Sequence, residues 1–220
     1  MHRLVRQCLT ASATLALLLL LAACTISSDT LLVASTEGVT PLPDHFTMFP
    51  YEQKDSDAYQ RSTDDPASFA RDGNQYVSRD MPDTKGPMTV RFLPAGPHAF
   101  LMAAVLPGET GVAYGFVRYT NGVLALALTP DDATTAALAA ARKGATGDAL
   151  AALNDLSVGA ESGAITIKSR TALDYLVNAY AGGHLPLGKL SVAFIAPDAK
   201  AKLPKQIVAD GDGWKVEDDF

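Results

Sequence analysis

The sequence predicts an α+β fold, an antiparallel β-meander of five or more strands with two or three helices packed on it. Four apolar runs of strand length lie between Met88 and Thr129, separated by Pro/Gly-rich turns. One of those turns is Asn121-Gly122, whose residues tolerate the positive φ that a two-residue type I′ hairpin requires. Helix signals concentrate after residue 130, interleaved with two or three further strands, and strands followed by helices mark the α+β class.

The first expected strand is His45 to Tyr51, with Pro50 confining it to an edge or an end because proline cannot donate to a ladder. From Glu52 to Pro87 the chain is charged and punctuated by Asp64-Asp65-Pro66, Asp72-Gly73-Asn74 and Lys85-Gly86-Pro87, so it reads as a solvated excursion with one short strand at Tyr76-Val77. Met88–Leu93, Ala99–Leu106, Val112–Tyr119 and Val123–Thr129 then form the meander. The Asn121-Gly122 turn sets Thr120 opposite Val123, Tyr119 opposite Leu124 and Val117 opposite Leu126. The other face carries Tyr114 and Phe116 against Ala125 and Ala127, so both faces are apolar enough to be covered. Thr129-Pro130-Asp131-Asp132 opens a helix over Ala133–Lys143 by combining a capping hydroxyl, a first-turn proline and two acids at the positive end of the helix dipole. Gly144 ends it, and Thr146 opens a second, short helix. After a strand at Ala164–Lys168, Ser169 caps a third helix, where Leu173, Leu176, Val177 and Tyr180 form one apolar stripe. Gly188–Ala196 is a further strand. Gln206–Val208 and Trp214–Val216 form a closing hairpin around Asp210-Gly211-Asp212-Gly213.

Charge divides the chain in two. The first 23 residues hold two of the 18 Lys and Arg and none of the 24 acids, so the remainder has a balance of −8. Such an acidic body is not a nucleic-acid binder, which would need a basic face to displace counterions. In the leader, Arg3 and Arg6 precede an apolar centre at Leu15–Leu21, shorter than the roughly 20 residues a spanning helix needs. It ends in Leu21-Ala22-Ala23-Cys24, which resembles the lipobox of bacterial lipoproteins. The resemblance covers the leader and Cys24 alone. It implies removal of residues 1–23 and a diacylglyceryl group on Cys24. It also implies attachment to the membrane through the N-terminal lipid, with two or three acyl chains making detachment slow. The small and polar residues that follow read as a tether, so residues 24–44 are the lipidated cysteine and its tether, and with no Pro/Gly-rich linker beyond them residues 45–220 read as a single α+β domain. Thr25 stands where Asp would favour inner-membrane retention, so the expected location is the outer membrane, with the domain in the periplasm.

The chemistry-bearing residues form no recognisable constellation. Cys8 leaves with the leader and Cys24 is alkylated, which leaves no thiol for catalysis, redox work or metal ligation. His45, His98 and His184 are scattered, without metal-ligand spacing. Asp210-Gly211-Asp212-Gly213 lacks the third acid and the distal Glu of a calcium loop. Neither G-x-S-x-G nor a glycine-rich nucleotide loop is present. The acids Glu37, Glu52, Glu109, Glu161 and Glu217 fall mostly in turns or polar segments. Tyr114, Phe116, Tyr119 and Trp214 could supply a stacking patch rimmed by Pro94–Pro97 and Pro107–Thr110, but core packing is the stronger account of large rings on a sheet.

The expectation is therefore a lipid-anchored envelope protein that is not an enzyme, takes no cofactor and no metal, and acts through contact with an envelope protein partner. The alternative is a binding module for a small apolar ligand or glycan in a pocket beneath the meander. A third reading, an envelope hydrolase assembled from distant residues, requires an acid or histidine inside such a pocket. Changing Cys24 to Ala should abolish metabolic labelling by a radioactive fatty acid and release the protein from the membrane fraction; labelling that survives the change would refute the lipobox assignment.

Overall fold

A computed structural model describes residues 26–78, 86–105, 111–127, 130–159, 164–186, 190–198, 200–210 and 213–217. Among them are fourteen strands and three helices. Eight strands close into an antiparallel barrel. In spatial order these are β8 (Val112–Thr120), β7 (Ala99–Val105), β6 (Thr89–Gly96), β5 (Gln75–Ser78), β4 (Ala67–Asp72), β2 (His45–Gln53), β12 (Leu190–Ala196) and β9 (Val123–Ala127), which returns to β8. Closure removes the exposed edges that an open sheet would present.

The expected open α+β meander is thus corrected to a mainly β, closed barrel. The reason lies in the charged stretch from Glu52 to Pro87, expected to be a solvated excursion. It contains β3 (Ala58–Arg61), β4 and β5, and the last two are barrel staves. In β4 the buried Ala67 and Phe69 face inward while Arg71 and Asp72 stay exposed, so a half-buried period-2 pattern is masked by charge. Asp72 pairs with Gln75 around a two-residue loop whose first member, Gly73, has φ +61°. Pro50 is likewise not at an edge. It lies inside the wall opposite Ala193, where β2 changes neighbour: its pairing with β4 stops at Met48 and its pairing with β3 starts at Tyr51, so a missing N–H costs little at that switch.

Elsewhere the predicted register holds. Thr120 pairs with Val123, Tyr119 with Leu124 and Val117 with Leu126. Asn121 and Gly122 take φ +52° and +77°, as the type I′ turn demands. Thr129 and Leu128, with Gly188, Gly211 and Asp212, fall outside the described residues.

Alternation sorts the stave side chains into an interior and two covered outer faces. Phe46, Phe69, Tyr76, Val90, Phe92, Met102, Val117 and Leu124 fill the inside. On one outer face, Leu101, Tyr114 and Phe116 of β7 and β8 pack beneath α1 (Asp132–Gly144), α2 (Gly147–Asn154) and α3 (Arg170–Ala181), with β1 (Ile26–Ser28), β10 (Leu156–Val158) and β11 (Ile165–Ile167). The apolar stripe of α3 faces this layer as its spacing requires, with Leu173 and Leu176 fully buried and Tyr180 stacked on Phe116, ring centroids 4.3 Å apart. On the other outer face, Phe49, Tyr51, Val123 and Val192 meet Tyr59 of β3 and the hairpin of β13 (Gln206–Asp210) and β14 (Gly213–Glu217), whose Trp214 stands edge-on to Tyr59. Ser169 caps α3 through Ala172 N, as predicted. α1 is capped by Asp131 rather than Thr129: its carboxylate accepts from Thr134 N and Oγ1, which holds it below the ordinary carboxylate range, and Pro130 stays outside the helix.

Most of the segment expected to be a tether is docked on the barrel from Ile26 onward. β1 pairs with β8 and β11, and Val33 is buried. Two guanidinium groups fix the chain beyond β1: Arg91 donates to Val33 O at 2.8 Å, and Arg170 donates to Leu32 O and to the Glu37 carboxylate. Gly38 is required by close approach, since a Cβ there would lie 2.3 Å from Asn74 O. Val39 N then donates to Phe92 O, and Leu42 ends the strap between the upper ends of the staves, where the Tyr76 hydroxyl donates to its carbonyl at 2.6 Å and accepts from its N–H at 3.0 Å. Tyr76→Phe should leave both backbone groups of Leu42 buried without a partner and cost about 1–3 kcal/mol. Denaturant unfolding checks the cost, and faster amide exchange at Leu42 should accompany it; an unchanged midpoint would show that the strap is not held there.

Candidate functional site

The barrel interior is not completely filled. A cavity of about 90 Å³ lies between Leu42, Phe46 and Tyr76 at one end and Met88, Ala104, Pro50 and Ser191 at the other. Its walls are built by strand alternation: Met48 and Pro50 project from β2, Met102 and Ala104 from β7, Leu124 and Leu126 from β9. Met88, just before β6, is fixed by hydrogen bonds with Ser78, whose Oγ accepts from Met88 N at 2.9 Å.

The upper end is sealed by rings. Phe46 stacks on Phe69 at 5.1 Å, and Tyr76 stands edge-on to Phe46 and Phe92 at 5.3 and 5.8 Å. Leu42, Phe46, Tyr76 and Phe92 are all buried. Among the lining residues, Met48, Pro50, Leu126 and Ser191 keep partial solvent contact, so the cavity opens on the β2–β12–β9 side toward the lower end.

Among the described residues, polar side chains in the lining are confined to Tyr76 and Ser191. The Tyr76 hydroxyl is committed to Leu42 at both its proton and a lone pair. Among the described residues no acid, histidine, lysine or arginine lines the cavity. The depth of such a cavity cannot hold a charged or strongly polar group without leaving it unpaired, at a cost of several kcal/mol.

The residues singled out in the sequence are not brought together. Tyr114 and Phe116 face outward under the helices, Tyr114 with its hydroxyl accepting from Leu32 N at 3.1 Å. Tyr119 faces the interior, and Trp214 sits on the C-terminal hairpin. The stacking patch is therefore divided among three separate cores. Of its rim, Pro94–Pro97 forms the end of β6 and the turn into β7, and Pro107–Thr110 lies outside the described residues. His45 and His98 are at the upper end of the barrel and His184 follows α3; among the described residues no three His, Cys, Asp or Glu form a group able to hold a metal ion. Glu37 pairs with Arg170, Glu52 accepts from Ser62 Oγ and Glu217 pairs with Lys215, all away from the cavity. Glu109, Glu161 and the lipobox residues Leu21, Ala22, Ala23 and Cys24 lie outside the described residues.

The residues that sequence reasoning missed are those of the cavity wall itself. Phe46, Met48 and Pro50 recur at every second position, and so do Met88, Val90 and Phe92; that period is the signal that could have found them. Leu42 carries no such signal, because it reaches the interior from a strap rather than from a strand.

Comparison with protein-family models, curated proteins and solved structures returned no match. The barrel and its cavity therefore carry the functional argument alone.

Burial raises the phenol pKa of Tyr59, Tyr76 and Tyr119 above the ordinary 10.0, with Asp57 adding to the effect at Tyr59. The fold thus favours the protonated phenols, and their contribution to stability is intact below pH 10 and lost as pH rises through the raised folded values. In an alkaline titration of the seven tyrosines, part of the tyrosinate absorbance should appear only together with loss of the near-ultraviolet dichroism. Complete ionisation near pH 10 with the dichroism unchanged would contradict the packing described.

Proposed function

We propose that this chain is a lipid-anchored envelope protein whose barrel holds a small apolar molecule. The observation that carries the binding role is the apolar cavity inside a closed barrel, an architecture suited to enclosing one small ligand. It favours ligand binding over action through protein contacts alone, for which the described residues offer no comparable feature. A glycan would need hydrogen-bond partners that the described lining residues do not offer. Binding is preferred here to the hydrolase reading, which required an acid or histidine within the cavity; among the described residues the lining has neither.

The location rests on the leader. The lipobox and Thr25 support attachment to the outer membrane through Cys24, with the barrel on the periplasmic side. Among the described residues no helix is long and apolar enough to cross a membrane.

The cavity reading is tested by filling it. Ala104 is fully buried and lines the space, so Ala104→Phe would occupy much of it, at an overpacking cost of about 1–3 kcal/mol. Full-length protein isolated from its membrane should release a non-covalently held apolar compound, detected by mass spectrometry, which the folded variant lacks. Ala193→Leu, a smaller intrusion from β12, should reduce the yield in part. Equal yields from wild type and both folded variants would refute the reading.

A further inference from the structure

The shape and chemistry of the cavity narrow the class of ligand, given that the cavity is a binding site as proposed above. We propose that it takes one unbranched acyl chain, methyl end first against Phe46, Tyr76 and Phe92, and leaves the polar head outside beside Pro50 and Ser191. Three observations lead there.

The first is that, among the described residues, no free polar side chain lines the inside. Tyr76 is spent on Leu42, and Ser191 stands at the partly exposed end. Whatever enters the depth of the cavity is hydrocarbon, and a carboxylate, phosphate or sugar has to stay at the mouth.

The second is size. The free space, about 90 Å³, is smaller than the roughly 150 Å³ void known to admit a benzene ring. Fused rings are excluded at rest, whereas a chain can thread in one methylene at a time. The terminal methylenes fit the resting space, and further ones need the walls to yield.

The third is the means of yielding. Three of the five methionines in the chain line this one cavity from separate places, Met48 on β2, Met102 on β7 and Met88 just before β6. An unbranched thioether has three rotatable bonds and repacks cheaply, so these walls adapt to a chain without moving the backbone. The sealed upper end, by contrast, is made of rigid rings packed on one another.

The chain could come from a free fatty acid or from a membrane phospholipid, and the test separates them. Full-length protein in lipid vesicles is irradiated with a fatty acid carrying a diazirine near its methyl end or near its carboxylate, supplied either free or esterified in phosphatidylcholine. Peptide mass spectrometry then locates the label. The methyl-end probe should label the β6–β7 peptides with Phe92 and Met102 and the β2 peptide at Phe46, and the carboxylate-end probe the mouth at Pro50 and Ser191. Whichever supply labels more strongly identifies the source. Competition by saturated fatty acids of increasing length should strengthen about fourfold per methylene until the chain reaches the sealed end, then level off. A reversed labelling pattern, or competition by a tetracyclic hydrocarbon as strong as by a saturated chain, would overturn the acyl-chain inference while leaving apolar binding intact. No cavity labelling, together with equal apolar yields from wild type and Ala104→Phe, would remove both.

Discussion

The barrel depends on β12. Its central residues pair with two neighbours at once, Val192 opposite both Tyr51 of β2 and Ala125 of β9, and Phe194 opposite both Phe49 and Val123. Without that strand, β2 and β9 would be two open edges of a twisted sheet, and the interior side chains would face water. β12 is the last stave in the chain and joins one of the earliest strands to the product of the central meander. Closure is therefore the most non-local event in the fold, and its loop-closure entropy falls due before the interior contacts can offset it. Gly122 lies at this seam: its carbonyl accepts from Ile195 N at 2.7 Å, and a Cβ on it would come within 3.2 Å of the Phe194 ring.

Closure explains why so many staves are apolar on both sides. An isolated barrel of eight strands buries one face of each and shows the other to solvent. Here the helices with β1, β10 and β11 cover the β6–β8 side, and β3 with the C-terminal hairpin covers the β2–β12–β9 side. Much of the burial that stabilises the protein is thus made outside the barrel, and the inside need not be packed to the limit. An unfilled volume of about 90 Å³ forfeits up to about 2 kcal/mol, a substantial share of the roughly 5–15 kcal/mol by which domains are usually stable. Two outer cores sustain that deficit, and an apolar occupant would recover part of it.

The residues show which parts of this plan were legible. The four runs from Met88 to Ala127, their turns, and the stripe of α3 obey period and turn chemistry so strongly that tertiary context had little to override. The stave β4 was hidden, and β5 was legible only as an isolated short strand at Tyr76-Val77, because both are short and carry Arg71, Asp72 and Gln75 at the upper end, where charge is harmless to a half-buried strand. Without them, the two-faced meander could only be read as a sheet awaiting a cover, and closure was invisible. The cavity was illegible for a further reason: it is bounded by residues from distant strands, and no local pattern records that Met48, Met88 and Met102 face one another's space. Leu42 shows the limit most plainly, since its place is set by one hydroxyl on Tyr76 and not by its neighbours in the chain.

The docked strap changes what the lipid anchor would do. In the proposed arrangement Cys24 is two residues from Ile26, which is already fixed between β8 and β11, so the link spans at most about 7 Å. A barrel so closely held would not range through the periplasm; it would stay within reach of the lipid head groups. The same continuous strap runs from Ile26 past Arg170 and Arg91 to Leu42, which forms part of the sealed end of the cavity. In that arrangement one continuous docked segment would connect the anchor to the proposed binding site, and the membrane itself would be a local reservoir of acyl chains. A cavity lined by hydrocarbon gains from that proximity, because a chain passing directly from lipid to protein avoids exposing its methylenes to water at about 0.8 kcal/mol each.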